Sequence, residues 1–266
     1  MTLKSILLSF DFEEFDVPLE HGADIPMEQR MRISRQGAVR VLDCLKRQGI
    51  RATFFCTTNF ATLAPDIMRR IVDEGHEVAS HGCDHSQPKE NDARESKEVL
   101  EQLTGCVVRG YRQPRMFPVS DAILKEAGYE YNSSLNPTFL PGRYMHFSDS
   151  RTPFSSNQLV QIPASVTPHL RIPLFWLSLH HLPLRFYQAL VRRVLRHDGI
   201  LVTYFHPWEF ADDTTSPQYK LPFVVRRHCG LPMLQRLERL MVYLKEQQGA
   251  QFVTFTEYLT QNNMTR

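Results

Sequence analysis

The sequence predicts an α/β fold, a distorted (β/α) barrel of seven or eight parallel strands formed by one domain over residues 1–266. Three observations carry this. Short apolar runs alternate with amphipathic stretches along the chain, the pattern of repeated βα units around a mainly parallel sheet. The length of 266 residues suits one large domain of this kind. With 42% hydrophobic and 23% charged residues the chain can bury a core, which excludes wholesale disorder, and no repeat or low-complexity linker divides it.

The elements follow in order. Residues 6–10 form an apolar run that reads as a buried strand and ends in the acidic cluster Asp11-Phe12-Glu13-Glu14. Ser34 is placed to cap a helix over 34–48 that stops at Gly49. Residues 51–56 are a second strand, and 64–74 a helix closed by Gly75. A third strand over 77–80 leads into His81. A charged helix over 92–103 is closed by Gly105, and a fourth strand over 107–111 leads into Arg112. Residues 120–128 form a short helix, 129–132 a fifth strand and 159–162 a sixth. A helix with a basic face covers 184–196. The strand over 200–205 leads into His206, and a helix over 231–248 precedes a last strand over 252–255. Residues 136–156 and 166–183 lack regular patterning and read as long loops over one face, a length that is usually functional.

Composition narrows the function. Lys plus Arg is 31 and Asp plus Glu 29, a net charge of +2 that argues against a nucleic-acid partner. The first residues, MTLKSILLSFDFEEFD, lack the features of a secretory signal, and no run of about 20 apolar residues offers a membrane span. The five cysteines are odd in number and scattered, with no CxxC pair, which fits a reducing compartment. The expected location is cytoplasmic.

Four polar features fall at strand ends. Asp11 and Glu13, two apart on a strand, project to the same face, where two carboxylates can divide the work of base and metal ligand; the competing reading is a solvated acidic loop. His81 and His85, in SHGCDH, can close on one ion with a carboxylate, leaving a position for water; the plainer reading is two surface histidines. Arg112, in GYRQPRMFP, can anchor Asp11 through paired hydrogen bonds, or form an ion pair elsewhere. Pro114 then forces a turn that leaves the Arg115 N–H free to point into the site. His206, in LVTYFHPWEF, can protonate a leaving amine, or simply pack at the strand end. Glu209 is a candidate to orient it, or an unrelated surface acid. Barrel enzymes build their sites at the C-terminal ends of the strands, where all of these residues fall.

On these motifs the sequence resembles the polysaccharide deacetylases of carbohydrate esterase family four. SFDFEE, HGCDH, RQP and YFHPWE stand in the family's order between Ser9 and Glu209, and GYEYNSSLNP and YFHPWEF resemble the subgroup of surface-polysaccharide biosynthesis. The resemblance implies a metal-dependent hydrolase that removes an N-acetyl group from an amino sugar. Asp11 would be the base, oriented by Arg112. Glu13, His81 and His85 would bind a divalent metal, zinc by ligand type. The N–H of Arg115 would stabilise the oxyanion, and His206 would be the acid. Two departures stand out. Phe12 separates the acids that are adjacent in many members, so the ligand moves to Glu13, with Glu14 as the competing choice. Asn132 stands nearest the family's charge partner for the acidic histidine and cannot carry that charge. The expected substrate is an N-acetylated sugar on a nucleotide or lipid carrier. The apolar and basic stretch over 170–196 raises peripheral contact with the inner face of the membrane against a plain core helix. Two alternatives stay open: another C–N hydrolase acting on a small cyclic amide or formyl group, and a non-catalytic glycan- or membrane-binding protein.

Overall fold

The run KSILLSFDF becomes the nine-residue strand β1 (Lys4–Phe12), buried at every position after Lys4. A strand covered on both faces is what a parallel sheet between helices requires. The computed structural model describes residues 4–89, 91–140 and 144–264. The strands that follow are β2 (Thr53–Cys56), β3 (Glu77–Ser80), β4 (Gly110–Tyr111), β5 (Tyr131–Asn132), β6 (Phe139–Leu140), β7 (Tyr144–Met145), β8 (Phe154–Ser156), β9 (Leu159–Gln161), β10 (Ile200–Phe205) and β11 (Ala250–Phe252).

The main sheet has nine strands in the order β10-β1-β2-β3-β4-β5-β9-β8, with β11 also paired to β1. All pairings are parallel except β8 with β9. β11 pairs with Lys4–Ile6 of β1, and β2 pairs with Ser9–Phe12 farther along. The sheet curls into a distorted barrel. Ser165 N donates to Val202 O of the end strand β10 at 2.9 Å, while Ala164 N donates to Leu135 O just after β5 at 2.9 Å, so the segment after β9 ties β10 to the far side of the sheet.

The curled sheet separates two apolar clusters. Leu7, Phe55, Ala79, Tyr131, Val160 and Val202 fill the interior. Phe10, Phe12 and Phe54 face the other way and pack under helices that contribute Val41, Leu42, Leu45, Ile67, Ile71, Leu100 and Leu237. The alternation along each strand sorts the two sets.

Several boundaries differ from the sequence expectation. The first long helix runs over Met27–Gln48, and Ser34 is a buried residue within it rather than its cap. The intervening Met, Glu, Gln and Arg residues favour helix, so it extends back to Pro26, whose ring stops it. A helix at Thr58–Leu63, capped by Thr57, precedes the one at Pro65–Asp73. The last strand ends at Phe252, because Thr254 and Glu257 form a capping box that starts the helix Phe255–Gln261. The fourth strand is only Gly110–Tyr111. The two irregular regions hold the β6–β7 hairpin, β8 and the helix Trp176–His181, while residues 141–143 lie outside the described residues. The helix Leu184–His197 buries Tyr187, Val191, Val194 and Leu195 and exposes Arg185, Arg192, Arg193 and Arg196. Among the described residues, no helix is long and apolar enough to cross a membrane.

Candidate active site

Strand register gathers the site. Phe12, Cys56, Ser80, Tyr111, Asn132 and Gln161 form one continuous row across β1, β2, β3, β4, β5 and β9. The next residue of the first, third and fourth of these strands is Glu13, His81 or Arg112. On the other side of β1, Phe205 pairs with Phe10, which brings His206 level with Asp11. Residues far apart in sequence thus meet at one rim because parallel strands end together.

Asp11 is buried and held by Arg112, whose Nη1 donates to Asp11 Oδ1 at 2.5 Å. Arg112 is fully buried. It also donates to Ser9 Oγ at 3.0 Å, to Ser133 Oγ at 3.0 Å and to the Ser133 carbonyl at 3.2 Å, and its guanidinium lies 3.9 Å from the centre of the Phe55 ring. With its donors engaged, the guanidinium fixes the direction of Asp11 Oδ2.

Glu13, His81 and His85 offer three ligand atoms within 4.8 Å of one another. Glu13 Oε2 lies 3.0 Å from His85 Nε2 and 3.4 Å from His81 Nε2. It is buried with no aligned hydrogen-bond partner, and a buried carboxylate oxygen left this way is a position that a cation satisfies. One carboxylate and two imidazoles are also a common zinc donor set, so these residues fit such an ion. Their far sides are anchored. His81 Nδ1 bonds the Arg112 carbonyl at 2.7 Å, His85 Nδ1 bonds Asp16 at 2.8 Å, and Trp208 Nε1 donates to Glu13 Oε1 at 3.3 Å. Such outer contacts set which ring nitrogen faces the ion. Gly82, between the histidines, has a positive φ of 73°, which lets the chain turn so that both rings face Glu13. Glu14 points elsewhere, accepting from Thr57 Oγ1 at 2.9 Å and Asn59 Nδ2 at 3.2 Å.

Electrostatics follow from this packing. Burial raises the Glu13 pKa, but the His85 and His206 rings and the contact with His81 outweigh it and hold the carboxyl well below its usual range. Burial disfavours charge on His85, yet Glu13 and Asp16 hold it well above its ordinary value. His206 is likewise raised against its burial by Glu13, Glu209 and Asp11.

His206 Nε2 stands 4.0 Å from Asp11 Oδ2, and His206 Nδ1 is 2.9 Å from Glu209 Oε1. Glu209 is fully buried and supplies the carboxylate that Asn132 lacks. Asn132 instead donates to Gln161 and accepts from Ser134. The His206 ring stacks on Trp208, with centroids 5.2 Å apart, and meets Trp176 and Tyr204 edge-on. Arg115 has a left-handed backbone, φ 61° and ψ 11°, uncommon for a residue with a side chain. Its guanidinium pairs with Glu20 at 2.5 Å and lies 3.5 Å from Asp16, which braces that turn. Asp11, Glu13, His81, His85, Arg115 and His206 border a cavity of about 300 Å³, with Val17, Trp176, Leu177, Pro222 and Val224 on its apolar walls.

Sequence reasoning missed Asp16, Trp176, Ser133 and His180. Asp16 lies beside the acidic motif, and its spacing from Glu13 was the available signal. Trp176 and His180 come from a region without a pattern to read.

The strand-end row and the anchored carboxylate–imidazole cluster, with Asp11 and His206 facing it, define the class: an α/β barrel with a polar site at the ends of its strands. Residues 4–132, just under half of the chain, match the family model for polysaccharide deacetylase. A peptidoglycan deacetylase of Helicobacter pylori is 29% identical over 123 residues, which is 43% of this chain and 42% of that protein. The peptidoglycan-N-acetylglucosamine deacetylase PgdA of Listeria monocytogenes is 33% identical over 92 residues, 34% of this chain and 20% of its own length. The chain thus spans less than half the length of these curated relatives. A Mycobacterium smegmatis crystal structure assigned as a polysaccharide deacetylase superposes with a TM-score of 0.67 at 18% identity, covering 98% of this chain and 91% of that one, a likeness of fold.

Proposed function

We propose that this protein is a metal-dependent hydrolase that removes the N-acetyl group from an amino sugar. One observation carries the reading. Asp11 Oδ2 lies 4.0 Å from both His81 Nε2 and His206 Nε2, so a base and an acid flank one face of the Glu13–His81–His85 donor set. Those three residues would hold the cation, zinc by their chemistry. When bound, it supplies a Lewis acid for the amide carbonyl and lowers the pKa of water. Asp11, oriented by Arg112, accepts the proton of the attacking water. The Arg115 N–H donates to the carbonyl oxygen as negative charge gathers on it. His206 delivers a proton to the amine nitrogen as the C–N bond breaks, leaving acetate and a free amine. An amide is a poor electrophile with a poor leaving group, and each of these contributions answers one part of that difficulty.

The substrate we favour is a polysaccharide precursor, a nucleotide- or lipid-linked amino sugar, met in the cytoplasm at the inner face of the membrane. The unpaired cysteines support a reducing location. A cavity of about 300 Å³ is small for a ligand pocket and suits one sugar ring. A second groove of about 400 Å³, lined by Leu170, Pro173, Phe175 and Leu182, adjoins it through Leu177 and offers an apolar surface to a carrier. The test is elemental analysis of the purified protein beside His81→Ala, with acetate release measured from N-acetylglucosamine oligomers and UDP-N-acetylglucosamine. One divalent ion per chain, lost in the variant together with acetate release, is the expected result. No ion retained after reconstitution with zinc, cobalt and nickel overturns the reading.

A further inference from the structure

The helix Trp176–His181 lies outside every motif described above, yet two of its side chains reach the His206 system. They sit one turn apart, at i and i+4, and so project from one face. Trp176 meets the His206 ring edge-on, with centroids 5.5 Å apart. His180 Nε2 lies 2.9 Å from Glu209 Oε2, and both residues are completely buried. On the other side of its ring, His180 Nδ1 contacts the carbonyl oxygen of Arg227.

Three donors therefore converge on Glu209. The backbone N–H and Nδ1 of His206 reach Oε1 at 2.6 and 2.9 Å, and His180 reaches Oε2. The backbone is held as well, since Gly230 N donates to the Glu209 carbonyl at 2.8 Å. A carboxylate fixed at both oxygens cannot swing, so the ring it binds is fixed too. A carboxylate oxygen facing Nδ1 places the hydrogen on that nitrogen and leaves Nε2, the atom 4.0 Å from Asp11 Oδ2, to exchange protons with the cavity.

We propose that His180 is a positioning residue: through Glu209 it fixes the tautomer and orientation of His206, so the chain His206–Glu209–His180 does the work that a carboxylate at Asn132 would otherwise do. Its catalytic consequence rests on the function proposed above, but its structural content does not.

The experiment is a long-range proton–nitrogen spectrum of the imidazoles in the ¹⁵N-labelled, full-length protein, with His206 identified by its absence in His206→Gln. At a pH high enough for the ring to be neutral, the wild-type His206 is expected as the Nδ1–H form. In Glu209→Gln and His180→Leu it moves toward a mixture of the two tautomers, while His180→Gln, which keeps a donor, restores most of the wild-type signal. Thermal melts separate misfolding from this effect, and His180→Gln serves if His180→Leu does not fold. A neutral wild-type ring protonated at Nε2 and not at Nδ1, or an unchanged ring in folded His180→Leu, overturns the proposal. Acetate release from N-acetylglucosamine oligomers is the second readout. His180→Leu should lower kcat about 10–100-fold with KM within about threefold. If the wild type releases no acetate, the functional reading fails while the spectrum still judges the relay.

Discussion

Gly37 is the position where a single methyl group tests the architecture of the site. It lies in the helix Met27–Gln48, against the turn that follows His206. A Cβ at this position would stand 1.7 Å from the carbonyl oxygen of Pro207 and 2.6 Å from its carbonyl carbon. Real Cβ contacts essentially never fall below 3.0 Å, so in Gly37→Ala the two backbones must part by about 1.3 Å. Two effects compete. Alanine is the better helix former by about 1 kcal/mol. Overpacking costs about 1–3 kcal/mol, and here it falls on main chain that has no rotamer to escape into. The second effect should win by up to about 2 kcal/mol, which is a fall of up to roughly 8 °C in Tm. The larger consequence is catalytic. Pro207 follows His206 directly, and a displacement of about 1 Å in a reacting group can cost about 100-fold in rate. Gly37→Ala should therefore fold and bind metal like the wild type while losing about 100-fold in kcat for acetate release. Calorimetry and steady-state kinetics on the same preparation decide it. A Tm that rises by a few degrees with unchanged kcat would refute the reasoning, because the helix gain would then have outweighed the contact.

Three further outcomes are expected. Arg112→Met leaves Asp11 buried without its partner, so stability measured by urea unfolding should fall by about 3–5 kcal/mol. Glu13→Gln should abolish metal retention, whereas Glu14→Gln, altering a carboxylate bonded to Thr57 and Asn59 away from the cluster, should keep the ion; elemental analysis of both variants checks this. Burial lowers the pKa of His76 to about 4 in the folded protein, and its side chain is only 2% exposed. Unfolded, it binds a proton below about 6.5, so its contribution is complete above that pH and is lost as pH falls toward 4, an effect of about 3 kcal/mol. Urea midpoints taken across this window should show a slope that is flatter in His76→Gln.

The helix Leu231–Gln248 and the strands Glu77–Ser80 and Ile200–Phe205 lie where the sequence reading placed them, because their apolar periodicity is local and their ends carry plain stop signals. The start of the helix Met27–Gln48 and the end of β11 were misread where a local signal was passed over, Pro26 in one case and the Thr254–Glu257 box in the other. The short strands β4 and β5 were read too long, since their pairing is set by neighbouring strands rather than by their own composition.

At the site, the sequence by itself determined which side chains stand at strand ends. Alternation put Asp11 and Glu13 on one face, and the motifs marked His81, His85, Arg112 and His206. Tertiary structure decided what each of them touches. Glu13 and Glu14 are adjacent acids with equal chemistry; alternation separates their directions, and the packed fold supplies the histidines to one and Thr57 to the other. Asp16, Trp176 and His180 enter the site through contacts across the fold, and Glu209 becomes the partner of His206 through a turn that Gly37 allows to pack. The division has a physical cause: secondary structure follows from interactions a few residues apart, whereas a buried hydrogen bond depends on where the whole packed sheet places its two ends.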